Sequence, residues 1–242
     1  MLLSYIPIQD KKYRTGDAKE AFLGSIGLLR REGKNLYERD FLPKYDGVKV
    51  TTSAIINTSE VNSIEGKLGL PITELISKLA DANAELKGHG ENSVKVTYHA
   101  ISIESKQDIV DIINSDPKDR AFHAFKQTKD ARIITGVLIG FGHESSSSFL
   151  GATDLRLKTL NDINIISVGL SGGTNKQISF SDGTILGYVY DRACWELDEN
   201  GQMKIARLLT DNPTLFGDCK CPSGTFNDPN DAKKNADDKK KH

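Results

Sequence analysis

The residues that could carry out chemistry are few, and their spacing fits no catalytic motif. Ser145 closes the sequence GHES (142–145), which is not a G-x-S-x-G elbow, and no helix signal follows it. The glycine-rich stretch 169–173 lacks the Lys-Ser/Thr pair and the helix of a phosphate-binding loop. We therefore predict no catalytic residue and no cofactor, and we interpret the chain as not an enzyme.

The residue types that bind metals are equally scattered. The five histidines show no metal-ligand spacing, so we predict no metal site; they are His89, His99, His123, His143 and His242. Of the three cysteines, Cys219 and Cys221 are too close for a C-x-x-C pair, and Cys194 stands apart. Three cysteines predict no disulfide framework and favour a reduced, cytoplasmic protein.

Composition is typical of a globular chain. Of the 242 residues, 38% are hydrophobic and 27% are charged, which excludes a wholly disordered chain. The net charge of −1 argues against a nucleic-acid partner. The start MLLSYIPIQDKKYR lacks the apolar region of a signal peptide, and no run reaches the 18 apolar residues or so that a spanning helix needs.

A basic face is predicted near the N-terminus. Residues 1–50 hold ten Lys or Arg and seven Asp or Glu. Asp17 can cap a helix that ends before Gly33, with apolar residues at helical spacing (Phe22, Ile26, Leu29). Its end would carry Arg30, Arg31 and Lys34. Cations are favourable at any helix C-terminus; contact with acidic lipid headgroups is the other interpretation.

Periodicity predicts the remaining elements. Strands are predicted at 3–9, 47–57, 63–70, 83–89, 93–104, 131–141, 155–160, 163–171, 176–180, 184–197 and 202–209. Helices are predicted at 72–82, 106–114 and 118–128. A change of apolar phase near Ala100 indicates a bulge or strand end, and 142–154 is a polar, glycine-bearing connection. Residues 217–242 have almost no apolar side chain and predict a disordered tail.

Taken in order over residues 3–210, these elements resemble the gasdermin family in its short bacterial or fungal form. Four segments carry the resemblance: YIPIQDKKYRTGDAKEAFLGSIGLLRREGK; KVTTSAIIN with EGKLGLPITELISKLADANAELKGHGENSVKVTYHAISIES; DIVDIINSD with ARIITGVLIGFG; and ISVGLSGGTNKQISFSDGTILGYVYDRACWELDENGQM. The resemblance implies an α+β fold, a twisted and mostly antiparallel sheet with surrounding short helices. It places a pore-forming domain at 1–212 and a short polar tail, the candidate inhibitory segment, at 213–242.

The resemblance also implies a function. The protein would be cytoplasmic when inactive and at the cell membrane when active, where it oligomerises in acidic lipid and lyses the cell. Its partners would be acidic membrane lipids, other copies of itself in a large pore, and an activating protease or partner protein. The resemblance implies that regions 48–104 and 131–197 would refold into long amphipathic hairpins. A spanning strand needs about 9–11 residues, and segments 48–56 and 132–141 have that length.

Site residues follow from the same resemblance. The lipid-binding set is Lys11, Lys12, Arg14, Arg30, Arg31 and Lys34. The membrane-inserting set is Ile133, Val137, Ile139, Val94, Val96 and Tyr98. The autoinhibition and cleavage region is Leu215, Phe216 and Gly217.

Two features depart from the family pattern. Short bacterial members carry a cysteine near the start that can be palmitoylated, whereas Leu2, Leu3 and Ser4 stand here. The tail is short, so it inhibits weakly or activation takes another route. The alternative function is a soluble, non-enzymatic, β-rich module that binds a partner, and strand periodicity alone does not separate the two.

Overall fold

A computed structural model describes most of the chain. The described residues are 5–8, 11–16, 18–30, 36–41, 43–57, 97–116, 118, 120–128, 130–161, 163–210, 221–228, 230, 231 and 234. The strands are β1 Tyr5–Ile8, β2 Lys11–Arg14, β3 Ile26–Arg30, β4 Leu36–Phe41, β5 Asp46–Asn57, β6 Thr97–Ile103, β7 Ala131–Phe141, β8 Ala152–Leu160, β9 Ile163–Leu170, β10 Asn175–Ser179, β11 Gly183–Leu197 and β12 Met203–Thr210. The helices are α1 Lys106–Ser115, α2 Arg120–Gln127 and α3 His143–Leu150.

One antiparallel sheet organises these elements. Its order is β1-β2-β11-β7-β6-β5-β8-β9-β10, with β12 on β11 and the β3–β4 hairpin on β7. All paired strands in the described part of the chain are antiparallel. The predicted α+β class, a mostly antiparallel sheet with short helices, is confirmed.

Strand β7 is the centre of the core. All eleven of its residues are buried, although they alternate between the two sheet faces. Ile133, Val137 and Ile139 belong to the larger apolar cluster, which also receives the buried faces of α1 and α2. Leu138 belongs to a smaller cluster that includes Ile6 of the β1–β2 hairpin. The hairpin therefore packs on side chains of central strands and helps to cover a second apolar cluster.

The predicted helix at 17–33 is wrong. A single 3-10 turn at Ala18–Glu20 is followed by β3, which pairs with β4 and β7. Gly24 interrupts helical backbone because its φ is +78°. The Tyr45 hydroxyl donates to the Gly24 carbonyl at 2.7 Å, and a Cβ on Gly24 would lie 2.6 Å from the Tyr45 ring. Tertiary pairing thus overrides an apolar spacing that also suits a helix.

The polar connection predicted at 142–154 is also wrong, because α3 occupies most of it. The hydroxyl groups of two serines form hydrogen bonds within the helix: Ser147 donates to the His143 carbonyl, and Ser148 donates to the Glu144 carbonyl. Phe149 anchors the helix in the core. A helix therefore begins directly after Gly142 and includes Ser145, although the sequence shows no helix signal there.

Strands β2 and β4 were not predicted, whereas the remaining described strands and helices agree with the prediction to within about four residues at their ends. The irregularity expected near Ala100 lies in the neighbouring strand, where the β5–β6 register shifts between Thr52 and Ala54. The elements predicted at 63–70, 72–82 and 83–89, and residues 93–96, lie outside the described residues.

The C-terminal strap, residues 221–228, is held on β11, so the disordered-tail prediction is wrong for this segment. Cys221 forms a disulfide with the fully buried Cys194. Trp195 and Phe226 exchange two backbone hydrogen bonds, of 2.9 and 2.8 Å. The prediction of no disulfide is therefore wrong as well, because the fold brings together cysteines that are 27 residues apart. The expectation of a reduced compartment loses its support.

Candidate functional site

In the described part of the chain, the segment expected to be the basic helix end is a strand, β3, as far as Arg30. Lys11 and Lys12 lie on β2, where the Lys11 ammonium donates to Ser102 Oγ at 2.8 Å and the Lys12 ammonium lies 5.1 Å from the centre of the Tyr5 ring. Arg30 ends β3, and its side chain lies outside the described residues, as do Arg31 and Lys34. The ammonium groups of both lysines therefore already contact other side chains of the protein.

Arg14 is a structural residue in this fold. Its side chain is buried, and its guanidinium lies 4.7 Å from the centre of the Tyr190 ring. Arg132 of β7 lies 5.8 Å from the same ring and is also buried. Two cations thus share one aromatic ring between β2, β7 and β11. Arg14 is not available on a lipid-binding face in this conformation.

The predicted membrane-inserting residues are in the core. Ile133, Val137, Ile139 and Tyr98 are each fully buried. Burial also raises the pKa of the Tyr98 hydroxyl well above its usual range. Val94 and Val96 lie outside the described residues. Any entry of these side chains into lipid requires the described packing of β6 and β7 to open.

A buried base and hydroxyl pair was not anticipated from the sequence. His99 Nε2 on β6 lies 2.8 Å from Ser146 Oγ on α3, and both residues are buried. The rings of Phe141 and Phe149 lie 6.1 and 5.0 Å from the imidazole. Burial lowers the pKa of His99 to about 4, so the ring is neutral near pH 7. This pair joins α3 to the sheet. Because both residues are buried, a substrate in solution could not reach the Ser146 hydroxyl directly.

A second polar cluster joins α1 to the centre of β11. The fully buried carboxylate of Asp191 accepts from Thr135 Oγ1 at 3.0 Å and forms an ion pair with Lys106. The Lys106 ammonium also donates to Thr210 Oγ1 at 2.6 Å. At the other end of α1, Asn114 bonds both the N–H and the carbonyl of Ile205 on β12. Helix α1 is therefore fixed to the sheet at both ends.

An apolar tip is exposed at the β8–β9 hairpin. Leu160 and Ile163 face each other across the turn and are 49% and 51% exposed. Beside this tip lies an open groove of about 490 Å³; it is lined by Lys44, Tyr45, Asp46, Lys158, Thr159, Leu160, Ile165 and Gln177. The groove combines two ammonium groups with apolar side chains, although Asp46 lies opposite Lys158 in the β5–β8 register.

The predicted cleavage region, Leu215, Phe216 and Gly217, lies outside the described residues. The strap comes after this region in the chain, and its Phe226 packs against the main core. The Thr225 N–H donates to the Pro222 carbonyl, and the Cys221 N–H donates to Asn227 Oδ1. The strap therefore has internal hydrogen bonds as well as its two attachments to β11.

Comparison with known proteins adds no identification. The chain matches no protein-family model, and neither the curated proteins nor the solved structures give a match. Within the described part of the chain, no group of three or more His, Cys, Asp or Glu side chains is placed to hold a metal ion. None of the described helices is both long and apolar enough to cross a membrane.

Some of these features left a signal in the sequence. Arg132 stands in the mainly apolar run ARIITG, and Asp191 and Arg192 stand together in VYDRACW, where a buried ionised side chain needs a partner. Leu160 and Ile163 flank an Asn-Asp turn and leave two apolar residues at a hairpin tip. The pairs His99–Ser146 and Cys194–Cys221 had no comparable signal, because only the fold brings their members together.

Proposed function

We propose that the chain is a pore-forming protein that binds acidic-lipid membranes, oligomerises there and permeabilises them after activation. The observation that carries the proposal is the array of neighbouring antiparallel strands β5, β6 and β7. A membrane-spanning strand needs about 9–11 residues. Both β5, with 12 residues, and β7, with 11, are long enough. The order of segments that resembles a gasdermin supports the same function.

The side-chain pattern of β5 suits two environments. Val48, Val50 and Ile56 are buried, whereas Lys49 and Thr51 are exposed. Such alternation lets one face of a strand contact lipid while the other contacts water. On β7, Ile133, Val137 and Ile139 share one face, whereas the other face includes Arg132, so the first face would contact lipid.

The exposed tip at Leu160 and Ile163 gives the proposal a place of first membrane contact. Apolar side chains at the end of a hairpin can enter the headgroup region without unfolding the sheet. Lys44 and Lys158 line the adjoining groove, and a cation near an anionic surface contributes about 1 kcal/mol. In this proposal the tip contacts lipid before β5–β7 rearrange.

Dye release from vesicles tests the function. The full chain and a chain ending at Thr210 are added to vesicles of phosphatidylcholine alone or mixed with phosphatidylserine. We expect the shorter chain to release dye from the mixed vesicles and to sediment with them as a large oligomer. Absence of dye release from both vesicle types, by both folded chains, contradicts the proposal.

A covalent lock tests whether β7 has to move. Leu28 of β3 lies directly opposite Ala131 of β7, and β3 is outside the two regions that are proposed to refold. In the chain ending at Thr210, with Cys194→Ser removing its remaining cysteine, the oxidised Leu28→Cys/Ala131→Cys variant should bind vesicles without releasing dye. The Leu28→Cys single variant is the matched control and should release dye normally. Equal release by both variants contradicts a rearrangement of β7.

The alternative is a non-enzymatic module that binds a partner. Among the described strands, β10 pairs only with β9, so its outer edge has a row of backbone groups suited to strand addition. This alternative expects a monomer that stays in solution beside either vesicle type. The sedimentation step of the dye-release experiment separates it from the pore-forming proposal.

A further inference from the structure

We propose that the C-terminal strap is a removable cover on the end of β11. Two covalent connections hold it, so its release requires both a cut in the chain between Thr210 and Cys221 and reduction of the Cys194–Cys221 disulfide. Its meaning for pore formation rests on the proposed function, whereas the release itself is a property of this chain that can be measured without lipid.

The strap occupies a strand edge that β7 leaves uncovered. β7 pairs with β11 as far as Asp191, and β12 pairs with the other side of β11 from Asp191 to Leu197. Both backbone groups of Trp195 are bonded to Phe226 of the strap. Since unpaired edges pair readily with other chains, removal of the strap would expose a pairing site at Trp195.

The strap also covers apolar side chains. Trp195 is 1% exposed, and its ring meets Phe122 of α2 edge-on at 5.6 Å between centroids. Phe226 packs against the same cluster, which includes Ile205 of β12. The strap is therefore bound through a disulfide, a pair of backbone hydrogen bonds and apolar contact.

The covalent connections determine what a protease can achieve. A cut between Thr210 and Cys221 hydrolyses one peptide bond, but the fragment beginning before Cys221 remains bonded to Cys194 through sulfur. Reduction alone leaves the fragment attached through the uncut chain, which keeps the strap at a high effective concentration near its seat. Only the two steps together allow the strap to diffuse away.

The reductive step is thiol–disulfide exchange. A dithiol supplies two electrons and two protons, becomes a cyclic disulfide, and leaves Cys194 and Cys221 as two thiols. Cys194 is fully buried whereas Cys221 is half-buried. The attacking thiolate would therefore reach the sulfur of Cys221 first and release the thiolate of Cys194.

The single tryptophan of the chain, Trp195, reports on the strap directly. A recognition site for a sequence-specific protease is placed within residues 212–218, and dithiothreitol is the reductant. We expect cutting alone or dithiothreitol alone to leave Trp195 emission and acrylamide quenching unchanged. The two together should shift the emission to the red, increase quenching, and release the C-terminal fragment on size-exclusion chromatography.

Two variants keep the test decisive. With Cys221→Ser, cutting alone should release the fragment, whereas Cys219→Ser should behave like the unsubstituted protein. Release of the fragment from the unsubstituted protein by cutting alone, without reductant, would overturn the proposal. A fragment that stays bound after both treatments, with Trp195 still protected, would overturn it too. Adding vesicles afterwards tests pore formation separately. If the strap is released but no dye leaks, the proposed function is contradicted and the release of the strap is not.

Discussion

Lys106, the first residue of α1, forms an ion pair with Asp191, a fully buried carboxylate in the middle of β11. The pair spans 85 residues of sequence and ties the β6–α1 junction to the central sheet. Lys106 remains 39% exposed, so its charge is partly solvated while that of Asp191 is not. The carboxylate therefore depends on its two protein partners, Lys106 and Thr135.

Replacing Lys106 by Met should destabilise the fold. The substitution leaves a buried carboxylate with Thr135 as its remaining described partner. Removing one partner of a fully buried pair costs about 3–5 kcal/mol, and we expect the lower end of that range because Lys106 is 39% exposed. Urea unfolding at pH 7 measures the loss. Lys204→Met is the matched control, because both members of its ion pair with Glu196 are partly exposed and the pair should contribute less than about 1 kcal/mol. Equal losses in the two variants would show that burial of Asp191 is irrelevant.

His99 should make stability depend on pH. Burial lowers its pKa to about 4 in the folded state, whereas an unfolded histidine titrates near 6.5. The unfolded chain binds more protons between these values, so this contribution is complete above about pH 6.5 and is lost as pH falls towards 4. A shift of this size is worth roughly 3 kcal/mol at most.

Comparing variants isolates that contribution. His99→Gln should lower stability at pH 7, because it disturbs the contact with Ser146, and should flatten the pH dependence between 4 and 6.5. His123→Gln on α2, an exposed position, should retain the slope of the unsubstituted protein. Chemical unfolding at half-unit pH intervals gives both slopes. If His99→Gln kept the full slope, another group would be responsible.

Gly187 allows the β1–β2 hairpin to approach β11. A Cβ there would lie 2.9 Å from Tyr13 Cβ and 3.1 Å from the Arg14 carbonyl oxygen. Gly187→Ala should therefore displace the hairpin and cost about 1–3 kcal/mol. Gly151→Ala is the control, because its nearest neighbour would be 3.7 Å away. Hydrogen exchange should show lost protection at 11–14 in the first variant alone, and equal protection in both would refute the close approach.

The exposed tip should govern vesicle binding. Leu160→Asp combined with Ile163→Asp removes apolar area and adds negative charge where the proposal places first contact. We expect binding to acidic vesicles to fall at least about tenfold, since about 1.4 kcal/mol corresponds to that factor. Leu150→Asp, at a leucine on α3 that is 64% exposed, should bind normally. Co-sedimentation measures both, and circular dichroism confirms that each variant is folded.

The strands were the most predictable part of the fold. Strand β7 was predicted with its observed ends because ARIITGVLIGF is a continuous β-branched and apolar run between polar turns. The prediction for 17–33 failed because Phe22, Ile26 and Leu29 have helical spacing, whereas the backbone is determined by the contact between Tyr45 and Gly24 and by the pairing of β3 with β7 and β4. Helix α3 failed because serine hydroxyls that bond within a helix look like a loop from composition alone.

The candidate site was less predictable than the fold. Lys11, Lys12 and Arg14 are close in sequence, yet they have different surroundings in the structure because neighbouring strand residues point to opposite sides and Arg14 is covered by Tyr190. Cys194 and Cys221 belong to elements whose proximity depends on the whole sheet. Contacts of this kind are set by tertiary packing, which no local spacing encodes.

Strand β11 has a consequence for how the protein acquires its structure. It lies at 183–197, yet its partners are β2, β7 and β12, so the N-terminal hairpin and the central strand must wait for residues that the ribosome adds much later. Pairings of such long sequence separation fold slowly. During that interval β7 has no neighbour on its β11 side, and its eleven core residues are accessible to other unfinished chains. Synthesis should therefore be the stage at which this protein is most prone to aggregate.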